Sequence, residues 1–247
     1  MSLTFHHRSD PGLVRPNNQD AYSVDMLDPR GIAAVMIIAD GMGGYEGGEV
    51  ASRLAVETVR ARVLTSAANW AEKGLLGEGL IQAVDAANRA ILQAQQEQPG
   101  LESMGTTLTI ALIWGDRIII SHIGDSKAFL IRSDGAVKVT TDHNVPGELL
   151  QSGHLTEAQA AVHPQRHVLT RALGIGESIS VERIDVTWQN GDILLLCTDG
   201  LSNLVGLEEI QAISGEGFAG LTDQLIDLAI TRGGHDNITV LAARWEG

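Results

Sequence analysis

The sequence predicts one α/β domain with a largely antiparallel sheet and two pairs of helices. Three observations carry that expectation. Apolar runs of strand length recur along the chain. Several are separated by gaps too short for a crossover helix. The longer stretches of helical periodicity fall within residues 49–97 and 207–232.

In chain order, "AYSVDML" (21–27) and "IAAVMIIA" (32–39) read as strands joined by the turn "DPRG". Residues 49–66 read as a helix, with Ala51, Leu54, Ala55, Thr58, Val59 and Val63 on one face. Residues 78–97 read as a second helix, striped by Leu80, Val84, Ala87, Ile91 and Ala94 and stopped by "QPG", with "GLLGEG" as the linker. The runs "TLTIALIW" (107–114), "RIIISHIG" (117–124), "KAFLIR" (127–132) and "AVKVTT" follow so closely that one antiparallel meander is expected. Residues 143–178 are polar, with short helical pieces around "PGELLQSG" and "TEAQAAV", and read as an excursion from the sheet. "SVERIDVTW" and "DILLLCTD" resume strands, residues 207–213 and 218–232 are helical, and "NITVLAARW" (237–245) closes as a strand. No internal repeat or domain boundary interrupts this order.

Composition narrows the function. The 247 residues, 44% of them hydrophobic, suffice for a real core. Seventeen Lys and Arg against 31 Asp and Glu leave a net charge of −14. That argues against a nucleic-acid backbone or an anionic membrane as the main partner, since both reward cationic side chains. It suits metal cations, though solubility alone also accounts for it. A single cysteine, Cys197, excludes an intramolecular disulfide and a four-cysteine zinc site. "MSLTFHHRSDPG" has no signal-type apolar core, no apolar stretch approaches membrane-spanning length, and a cytoplasmic location is expected.

Four aspartates share one kind of position. Asp40 and Asp199 each end an apolar run and precede a glycine; Asp125 ends another in "HIGDSK"; Asp236 opens the last strand. At any one site this is a good turn dipeptide and nothing more. Four together are different. A buried carboxylate is costly unless paired, and neighbouring basic residues do not supply four partners. Hard divalent cations would, because magnesium and manganese favour oxygen ligands and keep several waters. On this reading Gly41 offers a backbone carbonyl, and Gly43 and Gly44 leave the turn bare for ions and water. Arg15 in "GLVRPNNQD" has the planar guanidinium that grips two phosphate oxygens, and Asp20 stands five residues on.

Those residues carry a resemblance. "GLVRPNNQD" (12–20), "DGMGGYEGGEVAS" (40–52), "GTT" (105–107), "HIGDSKAFL" (122–130), "TDHN" (141–144), "HVLTRALG" (167–174), "LLLCTDGL" (194–201) and "GGHDNITV" (233–240) are similar, in order and over almost the whole chain, to the metal-dependent protein phosphatases of type 2C. The resemblance implies an α+β fold, an αββα sandwich of two antiparallel sheets flanked by helical pairs. It implies one catalytic domain over residues 1–247, with a flap at about 144–170 that shapes substrate choice. It implies two Mg²⁺ or Mn²⁺ ions, with a weaker third. Asp40 would bridge the ions, the Gly41 carbonyl would bind one, Asp199 and Asp236 would complete the other, and Asp125 with Asp199 would form the third site. Asp20 would support a metal-bound water, Arg15 would bind substrate phosphate, and Asn237 would support rather than catalyse. The activity implied is hydrolysis of phosphoserine and phosphothreonine by direct attack of a metal-bound hydroxide. The expected partners are phosphoproteins and a cognate serine/threonine kinase, and the expected state is a monomer.

The chain also departs from the family pattern. Met42 and Tyr45 stand where members place a histidine, so metal-bound water is expected to protonate the leaving group. Lys127, Gln19 and the stretch "QRHVLT" are milder departures.

Rival readings fare worse. A tyrosine-phosphatase loop needs arginine six residues after the cysteine, and that residue is Asn203. A lipase built on Ser126 of "GDS" needs an aspartate three residues before a histidine, and none of the eight histidines has one. A histidine–aspartate phosphohydrolase needs clustered histidines, whereas His143, His154 and His163 show no tight ligand spacing, and His122 reads as a satisfied strand residue. A non-catalytic binding module of the same fold would be marked by lost carboxylates, and all five are present.

Overall fold

Strand β3 (Ala33–Met42) divides its side chains between two cores. Val35, Ile37 and Ala39 enter one; Met36 and Ile38 enter the other. The run is apolar at consecutive positions because both faces are covered. The same division recurs in β5 (Leu108–Trp114) and β6 (Arg117–Ile123), and in β10 (Ile193–Cys197) and β11 (Ile238–Glu246). These features come from a computed structural model that describes residues 2–29, 31–43 and 46–246; Arg30, Gly44 and Tyr45 of the sequence reading lie outside the described residues.

Two antiparallel sheets result. One has the order β1 (Ser2–Asp10), β11, β10, β7 (Lys127–Arg132), β8 (Gly135–Lys138). The other runs β2 (Asp20–Met26), β3, β5, β6, β9 (Glu182–Thr187), and the two-residue β4 (Gly105–Thr106) pairs with the end of β3. The sheets face each other across a core of Met36, Ile38, Ile118, Ile120, Leu194, Leu196 and their neighbours. Helices α1 (Gly47–Glu72) and α2 (Leu76–Glu97) cover the outer face of the six-stranded sheet. The short α5 (Asp199–Ser202), with α6 (Leu207–Glu216) and α7 (Leu221–Thr231), covers the five-stranded one. Two further short helices, α3 (Val145–Gln151) and α4 (Glu157–Ala161), lie in the polar excursion. This is the expected αββα sandwich. No helix among the described residues is long and apolar enough to cross a membrane.

Three expectations need correction. The meander breaks in the middle: β5 pairs with β6 and β7 with β8, but β6 and β7 belong to different sheets. Gly124, Asp125 and Ser126 carry the chain from one sheet to the other. The gap excludes a helix but leaves room for that step. The linker between the first two helices is also shorter than read, because Gly77 and Gly79 lie inside α2. Burial of Leu76 and Leu80 against the sheet outweighs the helix penalty of about 1 kcal/mol per glycine. Strand β1 went unread because "SLTFHHRSD" is a polar, half-exposed edge strand without an apolar run.

Candidate metal centre

The ends of strands from both sheets meet in one cleft of about 630 Å³. Asp40, Gly41, Asp125, Asp199, Asp236, Asn237 and Arg15 all line it, together with Gln19, Met42, Thr107, His167 and His235. Asp40 comes from the end of β3 and Asp125 from the step between the sheets, so the six-stranded side supplies two carboxylates. Asp199 opens α5 beyond β10 and Asp236 precedes β11, so the five-stranded side supplies the other two.

Asp20 stands behind them. It pairs with Asp40 across β2 and β3. Its Oδ2 accepts from Thr239 Oγ1 at 2.6 Å and Thr198 Oγ1 at 3.0 Å. Its Oδ1 is buried with no hydrogen-bond partner. Burial, then the charges of Asp199 and Asp236, outweigh the two hydroxyls and push the Asp20 carboxyl up to about 7.

The other carboxylates show the same pressure. Asp40 lies well above the ordinary range because it is buried and because Asp20, Asp199, Asp125 and Asp236 all face it. Burial and Asp199 push Asp125 up to about 7, against the opposing pull of Lys127 and an Asn144 hydrogen bond of 3.3 Å. Asp199 is raised by burial and by Asp236, despite Lys127, His167 and an Asn203 hydrogen bond of 3.0 Å. Two cations oppose this pile-up. Arg15 Nη2 lies 2.8 Å from Asp236 Oδ2. Lys127 Nζ bonds the Asp125 carbonyl at 3.2 Å and Asp142 at 3.3 Å. Five crowded carboxylates, one with an orphaned buried oxygen, form an all-oxygen donor set short of positive charge. That set fits hard divalent cations such as Mg²⁺ or Mn²⁺.

Hydrogen bonds fix the scaffold. Asn237 donates from Nδ2 to the carbonyls of Pro11 and Asn17, both at 2.9 Å, and accepts from the Gln19 amide at 2.9 Å. It ties the loop that carries Arg15 to the segment before β11 that carries Asp236. Thr107 donates its amide to the Asp40 carbonyl and accepts the Asp40 amide on Oγ1, each at 2.9 Å.

Close packing accounts for glycine beside the aspartates: a Cβ on Gly43, where room for ions and water was expected, would lie 2.6 Å from the Ser103 carbonyl oxygen. A Cβ on Gly41 would lie 2.0 Å from the Gly48 carbonyl oxygen, and one on Gly200 would lie 2.0 Å from that of Asn237. Backbone, not solvent, fills those positions. The glycines let the aspartate-bearing turns pack against the start of α1 and the start of β11.

Sequence reasoning missed several neighbours. Thr198, Thr239, Thr107 and Asn144 hold the aspartates, and only pairing across distant strands reveals them. His167 lines the cleft with Nδ1 3.9 Å from Asp199 Oδ2. His143, expected on the excursion without a ligand cluster, is buried and stacked on His122 at 4.9 Å, beside Glu182. His122 bonds Thr109 Oγ1 at 2.8 Å and the Thr141 carbonyl at 3.0 Å, and His143 Nδ1 accepts from the Gly124 amide at 3.1 Å. Burial lowers both imidazoles, His122 to about 3, so the pair is neutral and braces the step to Asp125.

Comparison with known proteins agrees with this geometry. A family profile described as Protein phosphatase 2C matches residues 15–236. The chain is 35% identical over 237 residues to the serine/threonine phosphatase stp of Listeria innocua, covering 95% of this chain and 92% of that protein. It is 38% identical over 242 residues to the serine/threonine protein phosphatase PstP of Mycobacterium tuberculosis, covering 98% of this chain and 45% of that longer protein. The crystal structure of the M. tuberculosis phosphatase PstP/Ppp superposes with a TM-score of 0.88 at 35% identity, over 100% of both chains. A second structure, the catalytic domain of PstP in complex with two manganese ions, gives a TM-score of 0.84 at 35% identity over 99% of each chain. Sequence motifs, fold, cleft and relatives converge: the chain belongs to the protein phosphatase 2C family.

Proposed function

We propose that this chain is a metal-dependent serine/threonine protein phosphatase that hydrolyses phosphoserine and phosphothreonine in proteins. One observation carries the reading: Asp40, Asp125, Asp199 and Asp236, drawn from both sheets, line one cleft with the guanidinium of Arg15. The manganese complex of the PstP catalytic domain supports two Mn²⁺ or Mg²⁺ ions as the cofactor. Asp40, the Gly41 carbonyl, Asp199 and Asp236 would hold them, and Asp125 with Asp199 would hold a weaker third. Such ions supply Lewis acidity, making water between the carboxylates a nucleophile at neutral pH and offsetting phosphoryl charge.

The chain's own groups do the rest. Arg15, positioned by Asp236, presents two donors to the phosphoryl oxygens. Asp20 accepts hydrogen bonds from Thr239 and Thr198 on Oδ2, and its buried, unpartnered Oδ1 behind Asp40 is the group that would support a metal-bound water. Asn237 keeps the Arg15 loop in register. Met42 has no proton to give, so the leaving seryl or threonyl oxygen takes one from cleft water. No cysteine takes part: Cys197 is buried and its thiol is pushed up to about 12 by burial. Residues 1–247 would act as one monomeric, cytoplasmic catalytic domain, with 144–170 as a flap beside the cleft, and a serine/threonine kinase would supply the phosphorylated substrate.

The test is phosphate release from a phosphothreonine peptide, with Mn²⁺ titrated into metal-stripped protein and EDTA as control. Activity should appear with metal and vanish with chelator. Folded, metal-binding protein that releases no phosphate would favour the non-catalytic module instead.

A further inference from the structure

Two side-chain amides on helix α2 hold the wall of the cleft from behind. Asn88 is a buried polar residue on a face otherwise made of Leu80, Ala83, Val84, Ala87 and Ile91. Its Nδ2 donates to the Gly176 carbonyl and its Oδ1 accepts the Gly174 amide, both at 2.8 Å. Gln95, two helical turns on, donates from Nε2 to the carbonyls of Gly174 at 2.8 Å and Met104 at 2.7 Å. Gly174 therefore gives both of its backbone groups to α2.

The clamped turn reaches the aspartate cluster in two backbone steps. Leu173 donates its amide to the Thr106 carbonyl at 2.9 Å, and Thr106 returns one to the Leu173 carbonyl at 3.1 Å. Thr106 in turn pairs with Gly41 across β4 and β3, and its Oγ1 donates to the Asp40 carbonyl at 2.9 Å. Gln95 holds a carbonyl on each arm of this bridge, Met104 ahead of Thr106 and Gly174 just after Leu173. Between the two clamped glycines stands Ile175, which lines the cleft.

Packing does not require amides here. Leucine has a similar volume to Asn88, whereas a buried amide is costly unless it is hydrogen-bonded. The amides of Asn88 and Gln95 are bonded, and every partner is a backbone group of this wall. We propose that Asn88 and Gln95 are positioning residues that fix the Leu173–Gly176 turn and, through Thr106, the Gly41 carbonyl offered to a cation. Neither side chain lines the cleft itself. This positioning role rests on the reading of the cleft as a two-metal phosphatase centre, and it makes α2 one of the elements that set metal affinity there.

The experiment measures Mn²⁺ affinity by calorimetry on metal-stripped protein, at a temperature where circular dichroism shows each variant folded. Asn88→Leu and Gln95→Met should weaken Mn²⁺ binding by about 10-fold or more, the usual effect of removing a group that orients a ligand. Gln95→Lys keeps N–H donors for both carbonyls and should stay within about 3-fold of the wild type. Leu80→Ala, buried on the same helix, should lower the melting temperature and leave the affinity unchanged. At saturating Mn²⁺, kcat for p-nitrophenyl phosphate should return to the wild-type value in Asn88→Leu and Gln95→Met, while KM for a phosphothreonine peptide stays raised because Ile175 has moved. Wild-type Mn²⁺ affinity in both variants, or an equal loss in Leu80→Ala, would overturn the proposal. Gln95 is half-exposed, so its variants decide the question should Asn88→Leu fail to fold. Wild-type protein that binds Mn²⁺ but releases no phosphate would overturn the phosphatase reading instead, and the affinities still decide on Asn88 and Gln95.

Discussion

Asp20 and Asp40 lie directly opposite one another on adjacent antiparallel strands. Two carboxylates so placed repel, and both are removed from water. Without a cation, the fold tolerates them by holding protons. Asp20 and Asp125 titrate near 7 in the folded chain, against about 3.9 when unfolded. Between about pH 4 and 7 the folded state therefore binds more protons than the unfolded one, and stability falls as pH rises through that window. Metal-stripped protein should melt lower at pH 8 than at pH 5, by on the order of 5–15 °C. Mn²⁺ should restore the loss at pH 8. A metal-free melting temperature that is flat or rising over this range would refute the account.

Asp199→Asn should reduce kcat/KM by on the order of 10³-fold or more, because this carboxylate is proposed to serve two cation sites. The same change removes a repulsive charge, so the metal-free variant should melt at or above the wild-type temperature. Near-normal turnover would sink the assignment.

Arg15→Ala should raise KM for a phosphopeptide by about 10- to 100-fold with a smaller change in kcat. Steady-state kinetics at saturating Mn²⁺ reads the split. A fall confined to kcat would mean that Arg15 acts on the transition state alone.

Gly200→Ala should cost about 1–3 kcal/mol, since its methyl group would meet the Asn237 carbonyl at 2.0 Å and the backbone must shift. That shift moves Asp199 and Asn237 together, so Mn²⁺ affinity by calorimetry should fall with stability. Unchanged affinity in the variant would show that the turn is merely close-packed.

Much of this was legible before any coordinates. The carboxylates at Asp40, Asp125, Asp199 and Asp236 stand out because each follows or opens an apolar strand, a local pattern. Their common cleft was inferred from likeness, and the pairings make it geometric. What stayed hidden was non-local. The hydroxyls of Thr198, between β10 and α5, and Thr239, on β11, reach Asp20 through hydrogen bonds that span 178 and 219 positions. The break between β6 and β7 could not be read either, because both runs are apolar on both faces and neither says which sheet it joins. The burial of His143 likewise depends on His122 and Glu182, far apart in sequence.

The pairing of β1 with β11, Ser2 against Glu246 through Asp10 against Ile238, has a consequence for biosynthesis. The six-stranded sheet has all its strands once Thr187 has been made, but the five-stranded sheet must wait for the last strand. Until then Ser2–Asp10 has no partner strand, and Asp236 and Asn237 are not yet held beside the strand ends of the other sheet. Such long-range closure is slow. The cleft is thus assembled late, once Ile238–Glu246 can pair, and a chain cut after Thr187 keeps Asp20, Asp40 and Asp125 but lacks Asp199 and Asp236.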